Sequence, residues 1–187
     1  MHNRRMTSGR LPALSVALAL LAATSSAPQA ASRRPVAGAR GMVVAPESEA
    51  ASAGLAVLRG GGNAIDAAIA TAFALAVTYP RAGSLGGGGF LIYRAPDGTH
   101  AGLDFRETAP AGLTAARFRD AAGRVDPQKS LTGGLAVAVP GSVAGLFGAA
   151  ERWGTRPWAE LLAPAIRLAE TGVVVSSRSA ETFKSAL

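Results

Sequence analysis

The sequence has no cysteine in 187 residues. That excludes a disulfide framework, a cysteine-bound metal and a thiol nucleophile, and it fits a reducing or an oxidising compartment equally well. Histidine is almost as scarce. Neither His2 nor His100 has a partner at metal-ligand spacing, so no metal and no other cofactor is expected. Aromatic residues make up only 5% of the chain. The net charge of +7 raises nucleic acid or an anionic membrane as a partner. No basic run is interleaved with aromatics, however, so both are set aside. Low charge, at 17%, combined with 49% apolar residues belongs to a packed globular chain rather than a disordered one.

What is present begins with a leader. Arg4, Arg5 and Arg10 stand in a stretch free of acids, and Leu11 to Ala23 follows as an uncharged, mostly apolar run. Small residues come next: Ser25, Ser26, Ala27, Ala30, Ala31 and Ser32. This order is that of a secretory signal peptide. The apolar run is short of the about 20 residues a membrane span needs; a retained anchor is the alternative. Residues 1–31 are expected to be removed on export to the periplasm or the medium, leaving 32–40 as a flexible mature N-terminus with no membrane attachment.

Beyond the leader, hydrophobic patterning predicts a mixed α/β layer arrangement. Gly41 to Ala45 reads as a first strand ended by Pro46. Ser48 is placed to cap a helix carrying Ala51, Leu55 and Leu58 on one face, with Gly60-Gly61-Gly62 as its stop. Asn63 caps the next helix, and Asp66 suits the positive end of its dipole. Ala64 to Tyr79 has no other charge, which marks a buried helix closed by Pro80. Phe90 to Ala95 and His100 to Glu107 read as a hairpin around the turn Pro96-Asp97-Gly98. A short amphipathic helix is expected over Ala111 to Ala121, a polar loop over Asp120 to Lys129, and a buried strand over Leu135 to Val139. Val143 to Trp153 is helical. Pro157 opens a last helix that Pro164 should split, since an internal proline costs about 3 kcal/mol.

Two motifs carry candidate chemistry. Gly83-Ser84-Leu85-Gly86-Gly87-Gly88-Gly89 is rich enough in glycine to suggest a phosphate loop. It precedes a strand rather than a helix and has no Lys-Ser/Thr pair, so close backbone packing between the buried helix and the hairpin is the better reading. Asp104-Phe105-Arg106-Glu107 is the second. Strand alternation puts Leu103 and Phe105 on one face, Asp104 and Arg106 on the other. Arg106 is either half of a structural ion pair with Asp104 or a guanidinium held ready for a ligand carboxylate. Ser142 lacks the G-x-S-x-G setting of a nucleophile elbow and reads as a helix cap. The residue pattern alone offers no nucleophile and base pair.

Six segments, in order, resemble the large-subunit region of γ-glutamyltranspeptidases. They are Gly41-Met42-Val43, Gly61 to Ala68, Ser84 to Phe90, Asp104 to Glu107, Val139 to Gly145, and Trp153-Gly154-Thr155 with Pro157-Trp158. The resemblance implies a layered αββα N-terminal-nucleophile hydrolase fold, only partly present here, with 41–187 as the N-terminal part of the large subunit. Such precursors cleave themselves, and the new N-terminal threonine of the small subunit attacks the γ-glutamyl amide of glutathione. The resemblance assigns Arg106 to the substrate's α-carboxylate, with Asp104 as a possible orienting partner. The nucleophile belongs to a Thr-Thr-His-type segment that these residues do not contain; Thr132 and Thr155 lie in other contexts. The implied partners are γ-glutamyl compounds and the small subunit, and this stretch alone is expected to be inactive. Two alternatives stay open: a related acylase acting on glutaryl or cephalosporin side chains, and a non-catalytic remnant or separately encoded large subunit.

Overall fold

In the computed structural model, residues 35–82 and 84–184 are described. The expected signal peptide lies outside them. Gly38–Leu187 forms one unit, and Met1–Ala37 a separate one described only from Pro35. Residues 35–40 are exposed and without regular structure.

Five helices and one hairpin carry the architecture of the described residues. Helix α1 spans Ser48–Arg59 and α2 Ala64–Thr78. Strands β1, Phe90–Arg94, and β2, His100–Asp104, follow. Three short 3-10 turns (Ala115–Phe118, Pro127–Ser130, Gly134–Ala136) lead to α3, Ser142–Trp153. Helix α4 spans Trp158–Thr171 and α5 Ser177–Lys184. No helix among the described residues is long and apolar enough to cross a membrane.

Helix α2 is the axis of the core. A reciprocal capping box opens it: Asp66 N–H donates to Asn63 Oδ1 at 3.0 Å, and Asn63 N–H donates to Asp66 Oδ2 at 2.8 Å. Its nearly uncharged surface is buried on several sides through Ile65, Ile69, Ala70, Phe73 and Ala74. Helix α1 lies close against it because Gly54 has no side chain. A Cβ there would stand 2.9 Å from the Ala67 carbonyl oxygen and collide with the Thr71 hydroxyl. Helix α4 covers another side. Leu161 is fully buried, and Trp158 meets Phe73 edge-to-face with ring centroids 5.3 Å apart. Burying a side chain of the size of Ile69 or Leu161 contributes about 1.5–3 kcal/mol, so these two anchor the helical layer.

The hairpin lays one face on this core. Leu91, Tyr93, Leu103 and Phe105 pack against the cluster of Ile69, Phe73 and Leu146. The opposite face leaves Phe90 and Ile92 exposed. The antiparallel register pairs Phe90 with Asp104 and Ile92 with Gly102. At the turn, Gly98 adopts φ +88°, and Asp97 Oδ1 accepts from Thr99 N–H at 2.9 Å.

Several expectations fail for identifiable reasons. Gly41 to Ala45 is irregular; it runs beside α1 and α2, with no strand partner among the described residues. Leu135 to Val139 is a 3-10 turn followed by a single bridge, Thr108 to Val139, and its side chains are mostly exposed. Apolar residues alone do not make a strand where no neighbour supplies a ladder. Ala111 to Ala121 forms only the turn Ala115–Phe118, and no residue of it is buried. A helix this short is not stable without an apolar face to pack. Pro164 does not split α4. Leu161 and Ala165 flank it in the core, and tertiary packing carries the helix across the missing hydrogen bond. Neither serine caps its helix: Glu47 precedes α1 and Gly141 precedes α3, both without a side-chain cap bond. The sheet of the described residues has two strands. The fold seen is mixed helix and strand.

Candidate functional site

Three segments meet around Phe105 and Arg106. The first is the β2 extension. Pairing with the glycine-rich loop continues past the strand, with Phe105 N–H donating to Gly89 O at 3.0 Å and Gly89 N–H to Phe105 O at 3.3 Å. The second is the loop itself. A Cβ on Gly88 would lie 2.5 Å from Phe105 O, 2.7 Å from Glu107 N and 2.8 Å from Arg106 Cα. The third is the start of α3. Gly141 and Ser142 N–H groups both donate to Gly87 O, at 2.9 and 3.0 Å, and Ser142 Oγ donates to Ser84 O at 3.1 Å. The close packing expected of the glycine run is present. Its partner is the Phe105–Glu107 backbone.

The backbone of Arg106 is thus held from both sides while its side chain is exposed. Asp104 turns back on it: Oδ1 accepts from Arg106 N–H at 3.0 Å. No ion pair joins the Asp104 carboxylate to the Arg106 guanidinium, so the structural-pair reading of Arg106 has no contact behind it. Asp104 acts on the backbone of its neighbour. Among the described residues the Arg106 guanidinium has no hydrogen-bond or ion-pair partner, and its donors are open to a ligand.

A second charged centre was only half legible. Asp66 is fully buried. Beyond the capping box it accepts from Thr155 Oγ1 at 2.5 Å, Thr155 N–H at 2.9 Å and Arg156 N–H at 3.3 Å. Asn63 Nδ2 adds a bond to Trp153 O at 2.6 Å. Burial pushes the Asp66 carboxyl up, but the hydrogen bonds from the Thr155 hydroxyl and the Asn63, Thr155 and Arg156 backbone outweigh it and hold it below the ordinary carboxylate value. The group is saturated and ties α2 to the α3–α4 junction. Thr155 spends its hydroxyl on this tie, and Thr132 stands exposed. His100 is exposed at the start of β2, and no metal-holding group of His, Cys, Asp or Glu occurs among the described residues.

The gamma-glutamyltranspeptidase family model matches residues 50–187. A glutathione hydrolase proenzyme from Pseudomonas sp. (strain A14) is 49% identical over 146 residues, which cover 78% of this chain and 25% of that protein. The Escherichia coli (strain K12) proenzyme of the same name is 45% identical over 80% of this chain and 26% of its own length. Among solved structures, Helicobacter pylori gamma-glutamyltranspeptidase superposes with a TM-score of 0.78 at 45% identity, covering 81% of this chain and 44% of that one. The chain belongs to the gamma-glutamyltranspeptidase family. It spans about a quarter of the length of the curated relatives it matches.

Proposed function

We propose that this chain supplies the α-carboxylate-binding part of an enzyme that transfers the γ-glutamyl group of glutathione to water or to an amino acid. The observation that carries this reading is Arg106: an exposed guanidinium without a partner among the described residues, on a backbone bonded by Asp104 and packed against Gly88, next to a Phe105 peptide paired with Gly89. A guanidinium offers two parallel N–H donors to one carboxylate, and a site with that fork selects substrates bearing it. The reaction runs in the processed two-subunit enzyme. There the small subunit's N-terminal threonine hydroxyl attacks the γ-carbonyl, its own amine takes the proton, and the amide's amine leaves. Water or an amino acid then opens the ester. Arg106 grips the glutamyl carboxylate equally before and through both steps, so it acts on KM. Residues 41–187 form part of a layered αββα N-terminal-nucleophile hydrolase fold, 1–31 direct export to the periplasm or the medium, and 32–40 form the mature N-terminus.

The test is Arg106→Lys in the processed enzyme that contains this region. Lysine keeps the charge and loses the fork. A KM for glutathione raised at least about tenfold with processing intact is expected. A near-normal KM with a lowered Tm makes Arg106 structural instead.

An acylase reading has support of its own. An Acylase ACY 1 proenzyme from Pseudomonas sp. (strain SE83) is 43% identical over 77% of this chain, and cephalosporin acylase from Bacillus halodurans superposes with a TM-score of 0.73 at 37% identity. Glutaryl amides keep the carboxylate and lack the amine of glutamate. Preference for γ-glutamyl over glutaryl amides in one assay decides for the transpeptidase.

A further inference from the structure

Arg106 follows Phe105 directly, and Phe105 sits on glycine. Gly141 and Gly145 stand four residues apart, one turn of helix, at the start of α3. A Cβ on Gly145 would lie 2.6 Å from Phe105 Cδ1 and overlap its Cβ and Cγ. A Cβ on Gly141 would lie 2.7 Å from the Phe105 carbonyl carbon and overlap its oxygen. One face of α3 therefore seats the ring, and the turn before it seats the peptide. Gly145 is buried, and the Phe105 peptide is also paired both ways with Gly89. Neither Gly141 nor Gly145 has positive φ. Backbone conformation does not ask for glycine at either place; the space occupied by Phe105 does. A packed interior transmits such a displacement instead of absorbing it, and the next residue along is Arg106.

We infer that Gly141 and Gly145 are positioning residues for Arg106, whose absent side chains set the reach of the guanidinium to the substrate carboxylate. This rests on the carboxylate-binding role of Arg106. Bulk added at either glycine pushes Phe105 and misplaces the fork without touching the reacting atoms, so it changes substrate binding and leaves the chemical step alone.

The experiment uses the processed enzyme that contains this region and γ-glutamyl-p-nitroanilide as substrate. Gly145→Ala is expected to raise KM about tenfold with kcat within about twofold. In an Arg106→Ala background the same substitution is expected to raise KM no further, since a residue that acts through another is not additive with it. Gly145→Ala combined with Phe105→Leu, which vacates ring volume, should recover part of the loss. An unchanged KM in folded, processed Gly145→Ala overturns the inference, and so does a rise that persists in full without Arg106. If Gly145→Ala does not fold, Phe105→Leu alone reads the same seat: a KM raised at least about threefold at constant kcat supports the inference, and an unchanged KM overturns it. Arg106→Ala on its own separates the two levels. If it leaves KM unchanged, the carboxylate-binding reading fails and the inference falls with it. If it raises KM while the glycine variant does not, only the positioning claim fails.

Discussion

Asp66 and Arg106 are both held by backbone, and they are held in opposite ways. Asp66 is buried, and every strong interaction it makes is internal: the capping box of α2, the Thr155 hydroxyl and the Thr155 and Arg156 amides. Arg106 has its main chain fastened by Asp104 and crowded by Gly88, while its side chain is exposed and its guanidinium makes no hydrogen bond or ion pair among the described residues. A saturated buried charge fixes structure. An exposed charge on an immobilised backbone is what a binding site needs, because little ordering remains to be done when the ligand arrives.

Breaking the first half of this contrast gives the largest expected effect. Asp66→Ala leaves the half-buried Asn63 and Arg156 amides and the exposed Thr155 donors without their acceptor and removes the tie from α2 to the α3–α4 junction, and stability should fall by about 2 kcal/mol or more in chemical denaturation. Asp66→Asn keeps one acceptor oxygen and should cost less. A loss below about 1 kcal/mol for Asp66→Ala would show that α2 does not depend on the tie.

Acid sharpens the same half. The folded Asp66 carboxyl titrates below its ordinary value. Between that ordinary value and the depressed one, the unfolded chain binds a proton that the folded chain does not. The stabilisation is therefore complete above the ordinary carboxylate range and is lost as pH falls through the folded value. Tm followed from about pH 6 to about pH 3 should drop more steeply in the wild type than in Asp66→Asn. Parallel curves would remove Asp66 from the acid response.

The second half predicts small stability effects. Asp104 bonds the Arg106 backbone amide, which every substitution of the Arg106 side chain preserves. Arg106→Ala should therefore leave Tm unchanged within about one degree, since no buried contact is lost. Asp104→Asn, which keeps the acceptor, should change neither Tm nor KM measurably, and Asp104→Ala should raise KM modestly by loosening the turn. A Tm drop in Arg106→Ala equal to that of Asp104→Ala would revive an ion pair.

Short-range signals were the legible ones. Asn63 and Asp66 three residues apart gave the start of α2, and Pro96-Asp97-Gly98 gave the hairpin turn. Alternation put Leu103 and Phe105 on one face and Asp104 and Arg106 on the other, and the structure has the first pair half-buried and the second exposed. What escaped depends on partners far away in sequence. Asp66 reaches Thr155 across 89 residues, and no local pattern announces that bond. The Phe105 seat needs Gly141 and Gly145, and no local pattern around either glycine marks that contact. Gly41 to Ala45 and Leu135 to Val139 look like strands by composition, and no ladder completes them among the described residues. Pro164 breaks a local rule, and the burial of Leu161 and Ala165 overrides it.

The assignment of Arg106 is tested most directly by binding without turnover. Affinities of the processed enzyme for L-glutamate and for 4-aminobutanoate, which lacks the α-carboxylate, are measured in the wild type and in Arg106→Ala. The wild type should prefer L-glutamate by about 2 kcal/mol or more, roughly thirtyfold, the worth of a charge-assisted hydrogen-bond pair. That preference should disappear in Arg106→Ala while Tm holds. A preference that survives the substitution intact contradicts the role given to Arg106.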